Sequence, residues 1–76
     1  MVCFEVGYKS DDIWSINMVE CDSIDSVEAA ISVTRYAASK ARKYNYDDYF
    51  VSHSPLAVWQ ISERKAKGMP LVTIPV

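Results

Sequence analysis

Apolar residues at Val2, Phe4, Val6 and Tyr8 alternate with Cys3, Glu5 and Gly7, a period of two that predicts a half-buried strand. Ile13 to Cys21 repeats the pattern. A turn at Ser10-Asp11-Asp12 joins the two into a hairpin whose paired positions sum to 22, setting Tyr8 against Trp14, Val6 against Ile16 and Phe4 against Met18. This register gathers the apolar partners on one face, whereas a slip by one sets Trp14 and Ile16 opposite Lys9 and Gly7.

The period then changes to that of a helix. Asp25 can cap it, Glu28 follows three residues later as in a capping box, and Ile24 can staple to Ala29. The helix runs to about Tyr44, with Val27, Ala30, Ile31, Thr34, Ala37, Ala38 and Ala41 as its buried stripe. Tyr49 to His53 reads as a short third strand. Ser54-Pro55 then opens a second helix, serine as cap and proline at the first helical position, ending near Lys67. Gly68 is placed to close that helix in a left-handed conformation, Pro70 forbids its continuation, and Leu71 to Ile74 forms a fourth strand. The expected fold is α+β in the order ββαβαβ: one small domain, 1–76, holding a mixed four-stranded sheet, an N-terminal hairpin and two helices. The first helix is expected on one face, with the second beside it or at an edge.

Composition agrees with a globule. Half of the 76 residues are hydrophobic and 24% are charged, and no run approaches the roughly 18 apolar residues of a transmembrane span. The alternating N-terminus lacks the pattern of a secretory leader, so a cytoplasmic protein that does not engage membranes is expected. Two cysteines, Cys3 and Cys21, match neither a disulfide framework nor a zinc spacing and are expected as buried thiols, with no metal and no cofactor. A core this small invites supplementary burial, which points to a homo-oligomer, most simply a homodimer.

Candidate chemistry is sparse. Ser52-His53-Ser54 alternate across an extended strand, so they do not meet as a nucleophile and its base, and a non-enzymatic protein is expected. The same segment has a second reading, in which the amides of Leu56 and Ala57, with His53 and Ser54, hold a small anion or nucleotide signal at the helix start. The paired aspartates Asp11-Asp12 and Asp47-Asp48 sit where turns favour them. Charge is uneven along the chain: residues 1–34 carry seven acidic and one basic side chain, and residues 35–76 carry three acidic and seven basic. Arg35, Lys40, Arg42 and Lys43 lie close to Tyr44, Tyr46 and Tyr49, but a net charge of −2 speaks against a dedicated nucleic-acid binder. Nine aromatics exceed what one small core absorbs, and Trp59, on a helix apolar around more than one face, is the expected surface anchor. The acidic residues Asp11, Asp12, Glu20 and Asp22 are expected to act with Trp59 in docking a protein partner.

An acidic hairpin and helix in a small globule, followed by Ser54-Pro55, Trp59 and Lys65-Ala66-Lys67-Gly68-Met69-Pro70, resembles the small α+β proteins encoded by phages and prophages, among which anti-CRISPR and other anti-defence inhibitors are found. The resemblance implies a stoichiometric binder that blocks a host defence protein in the host cytoplasm, or captures a signal molecule, without chemistry of its own.

Overall fold

A computed structural model describes all residues, Met1–Val76. The elements are β1 (Val2–Ser10), β2 (Ile13–Cys21), α1 (Ser26–Lys43), β3 (Asp48–Val51), α2 (Val58–Ala66) and β4 (Leu71–Ile74). They form an α+β domain with the expected ββαβαβ order. Its single mixed sheet runs β3-β1-β2-β4, with β1 antiparallel to both β2 and β3 and with β4 parallel to β2. No helix is long and apolar enough to cross a membrane.

The hairpin register differs from expectation by one residue. Ser10 pairs with Ile13, so paired positions sum to 23, and Phe4 faces Val19, Val6 faces Asn17 and Tyr8 faces Ser15. The cause is a two-residue turn. Asp11 and Asp12 both have positive φ, 52° and 64°, the left-handed pair of a type I′ connection whose twist matches the strands, and aspartate tolerates that region. Lys9 and Gly7 therefore lie opposite Trp14 and Ile16, and the apolar residues of β2 divide between two faces.

On the first face Phe4, Val6, Tyr8, Val19, Cys21 and Ile74 pack against α1 through Ala29, Val33, Ala37 and Ala41. These four helical positions follow one another at intervals of four, so the buried stripe lies to one side of the expected one. Val27 is 69% exposed and Ile31 49%. Asp25 caps α1 as expected, accepting from the amides of Val27 at 2.9 Å and Glu28 at 3.2 Å. The carboxylate of Glu28 accepts from the hydroxyl of Ser23, whose oxygen accepts from the amide of Asp25, so the capping box closes through an intermediary. Ile24 is 98% exposed and staples nothing. Both helices end in the same motif: Asn45 and Gly68 take positive φ, and the next residues, Tyr46 and Met69, donate back to Ala41 and Arg64.

The second face carries Cys3, Glu5, Gly7, Trp14, Ile16, Met18 and Phe50, by strand alternation and pairing. Helix α2 lies over this face, away from α1, because Arg64 Nε donates to Glu5 Oε2 at 2.7 Å. Expectation had placed it beside α1 or at an edge. The two crossovers traverse the sheet in opposite directions, β2 to β3 and then β3 to β4, and both can be right-handed only with their helices on opposite faces. Cys3 and Cys21 are consequently buried on different faces and remain free thiols. Burial pushes the Cys3 thiol up, and neighbouring Glu20 adds to the shift.

Gly7 is required by what stands opposite it. A Cβ there would clash with the edge of the Phe50 ring at Cε2, a ring that fills the space over the glycine and meets Trp14 at 5.4 Å between centroids. Gly7→Ala is expected to destabilise by about 1 to 3 kcal/mol, the range for overpacking. Most of that loss should vanish in a Phe50→Ala background, which a double-mutant cycle of urea melts measures.

Candidate interaction surface

The acidic residues do not converge. Asp11 and Asp12 form the hairpin tip, where Asp12 pairs with Lys9 at 3.6 Å and the Asp11 amide donates to Asp47 Oδ2 at 3.1 Å. Glu20 pairs with Cys3 on the second face. Asp22 follows the far end of β2, its amide held by the carbonyl of Ile74 at 3.1 Å. At about 3.3 Å per residue, the length of β2 separates tip from end by roughly 30 Å. The four are two separate groups, and Trp59 is distant from the tip along the fold. Trp59 itself is 65% exposed and Val58 81%, on a helix with no buried residue.

The helix start predicted at Ser54 is corrected. Helix α2 begins at Val58 with Ala57 as cap, because the outward-facing backbone groups of β1 capture the preceding segment first. The amide of Ser52 donates to the carbonyl of Glu5, its hydroxyl accepts from the amide of Glu5 at 3.0 Å, and the amide of Leu56 donates to the carbonyl of Cys3 at 2.8 Å. The amide of Ala57 donates to Gln60 Oε1 at 2.8 Å. The two amides on which the anion reading relied are thus engaged, and His53 and Ser54 stand exposed in a bend of the strap beside them. No three His, Cys, Asp or Glu side chains come together as a ligand set.

The structure instead assembles a groove of about 510 Å³ between α1 and this strap. Phe4 and Ala30 line it together with Val27, Ile31 and Pro55, and Arg35 and His53 also border it, while no carboxylate does. Sequence reasoning assigned Val27 and Ile31 to the core because they share helical spacing with Ala30 and Thr34. The signal that separates them is the competing run Ala29, Val33, Ala37, Ala41, whose small residues let α1 approach the sheet. The groove and the pair Val58-Trp59 both border residues 53–57, the strap that passes from one face of the sheet to the other.

A second depression, about 290 Å³, is lined by Tyr36, Ser39, Lys40, Lys43 and Tyr44. Its cations are partly occupied within the fold: Lys40 lies 4.9 Å from the centroid of the Tyr8 ring and Lys43 lies 5.4 Å from that of Tyr44. Tyr46 stacks on Tyr8 at 5.0 Å. This geometry accounts for the cluster of basic and aromatic residues at the end of α1 through local cation–π contacts. No family model matches the chain, and no curated protein and no solved structure matches it.

Proposed function

We propose that the protein is a small non-enzymatic interaction module that binds a protein partner stoichiometrically through the groove of α1 and the exposed start of α2. The observation that supports this reading is the set of large apolar side chains left open along one strap: Val27, Ile31, Val58 and Trp59. Val27 and Ile31 stand on α1 and Val58 and Trp59 at the start of α2, on either side of the strap, and exposed apolar residues of this size are the material of binding surfaces. Arg35 and His53, with no acidic residue in the lining, suit a partner segment that presents apolar side chains beside a carboxylate. The resemblance to phage-encoded inhibitors fits the same role, with a host defence protein as partner and the host cytoplasm as its place of action.

With the purified protein as bait, the captured partner is expected to form a complex of equal stoichiometry by mass measurement. Ile31→Asp should abolish that complex, and Trp59→Ala should weaken it tenfold or more, a typical hot-spot loss. Both side chains are largely outside the core, so circular dichroism should be unchanged. Binding that survives both substitutions, or an activity that depends on His53 or Ser54, would overturn the reading.

A further inference from the structure

The outer edge of β2 is only half covered. Strand β4 pairs with Met18–Cys21, and Ile13–Asn17 have no strand beside them on that side. The amide of Met18 donates outward to the carbonyl of Pro70 at 2.9 Å, and that of Asp22 donates to Ile74. By alternation, the N–H and C=O groups of Trp14 and Ile16 also point outward. This open stretch carries none of the usual guards of a free edge, since Ile13-Trp14-Ser15-Ile16-Asn17 contains no lysine, proline or glycine. Ile13 is 68% exposed and Trp14 42%.

We propose that this edge is occupied by the same edge of a second copy of the chain, forming a two-fold antiparallel dimer with one continuous sheet. Only a register that sets even-numbered residues against even-numbered ones joins the outward-pointing groups. The one centred on Ser15 uses all of them: Trp14 pairs with Ile16 of the second copy, and Ile16 with its Trp14, each pair exchanging two hydrogen bonds. Faces are preserved across such an axis, so both Trp14–Ile16 pairs lie on the second face and extend the apolar cluster of Trp14 and Phe50. The ends fit as well. The open stretch is bounded by the turn at Asp11-Asp12 and by Pro70, so each hairpin tip comes to rest where the other copy's β4 begins.

Charge complementarity supports this occupant. The arriving tip is acidic, with Asp12 96% exposed at its side chain. The receiving corner carries Lys65 and the 73% exposed side chain of Lys67, which pairs with Glu63 at 3.6 Å, while Arg64 is held by Glu5, and residues 67–70 lead directly into β4. The contact occurs twice by symmetry. A fibre does not follow, because an isologous contact closes on itself.

Sedimentation of the full chain from micromolar to near-millimolar concentration tests the proposal. The weight-average mass is expected to rise from 8.6 kDa toward twice that value. Trp14→Lys should remain at monomer mass with its dichroism retained. Lys67→Glu should raise the dissociation constant several-fold at low salt and much less at molar salt, where screening is strong. Hydrogen exchange supplies a readout independent of mutation: the amides of Trp14 and Ile16 should slow at least tenfold on going from dilute to concentrated protein. A monomer throughout the range, a dimer that tolerates Trp14→Lys, or Trp14 and Ile16 amides indifferent to concentration would each overturn it. The Ile31→Asp and Trp59→Ala variants should dimerise like the wild type, so the two proposals fail separately.

Discussion

Replacing Phe4 with alanine is expected to destabilise the protein by about 3 to 5 kcal/mol, a large fraction of what a chain of this size has to lose at roughly 0.05 to 0.15 kcal/mol per residue. Phe4 is 2% exposed and is among the largest fully enclosed side chains. It lies beneath α1 in the main cluster, where removing a ring leaves a cavity between a sheet and a helix already held close by alanines. Its neighbour Glu5 faces the other way. There the carboxylate receives Arg64, both side chains being 23% exposed, so Glu5→Ala leaves a half-buried guanidinium without its partner and loosens α2. A cost of about 1 to 2 kcal/mol is expected for that pair, more than an open surface ion pair provides. Urea melts of the two variants should therefore differ by at least about 1 kcal/mol, with the midpoint of Phe4→Ala far lower. Equal losses would mean that the two faces of β1 are assigned wrongly.

Much of this architecture is legible in the residues themselves, where a local rule is also the rule that prevails. The limits of β2 and β4, the Asp25 cap and the left-handed Gly68 all follow from alternation or from termini whose chemistry is satisfied nearby. The hairpin register is not legible in the same way, because burial and turn geometry compete. Gathering apolar residues on one face favours a three-residue turn, while the Asp-Asp pair adopts a two-residue one, which sends Trp14 and Ile16 to the second face. That face depends on contacts distant in sequence: Phe50 over Gly7, and Arg64 on Glu5. The start of α2 was misread for a related reason. Ser54-Pro55 is a sound helix opening in isolation, but the free carbonyls of β1 lie within reach and form a ladder with the strap instead. Of the surface residues, Trp59 was legible from an apolar surplus on a short helix. Val27 and Ile31 were not, since two helical stripes of similar quality overlap and only the sheet decides between them.

Raising the pH from 10 to 12 is expected to remove about 2 kcal/mol of stability through Tyr8 alone. Tyr8 is 2% exposed, and its hydroxyl is buried without a hydrogen-bond partner. Burial chiefly, with Tyr36 and Tyr46 adding to it, pushes its pKa up to about 12 from the ordinary 10. The folded state therefore resists ionisation. Its advantage is complete well below pH 10, where the unfolded chain is also neutral, declines as unfolded tyrosine ionises, and is exhausted only once the folded phenol has ionised above about pH 12. Two pK units correspond to about 3 kcal/mol in all, of which about 2 falls between pH 10 and 12. The quantity to measure is the difference between wild type and Tyr8→Phe, in which every other group cancels. Removing an unsatisfied hydroxyl while keeping the ring should make Tyr8→Phe more stable by about 1 kcal/mol at pH 7, and the stacking on Tyr46 should persist. By pH 12 that margin should widen to about 3 kcal/mol as only the wild type loses the Tyr8 contribution. A margin that stays constant across the range would show that the hydroxyl is hydrated in solution, and that the space beneath the end of α1 admits water.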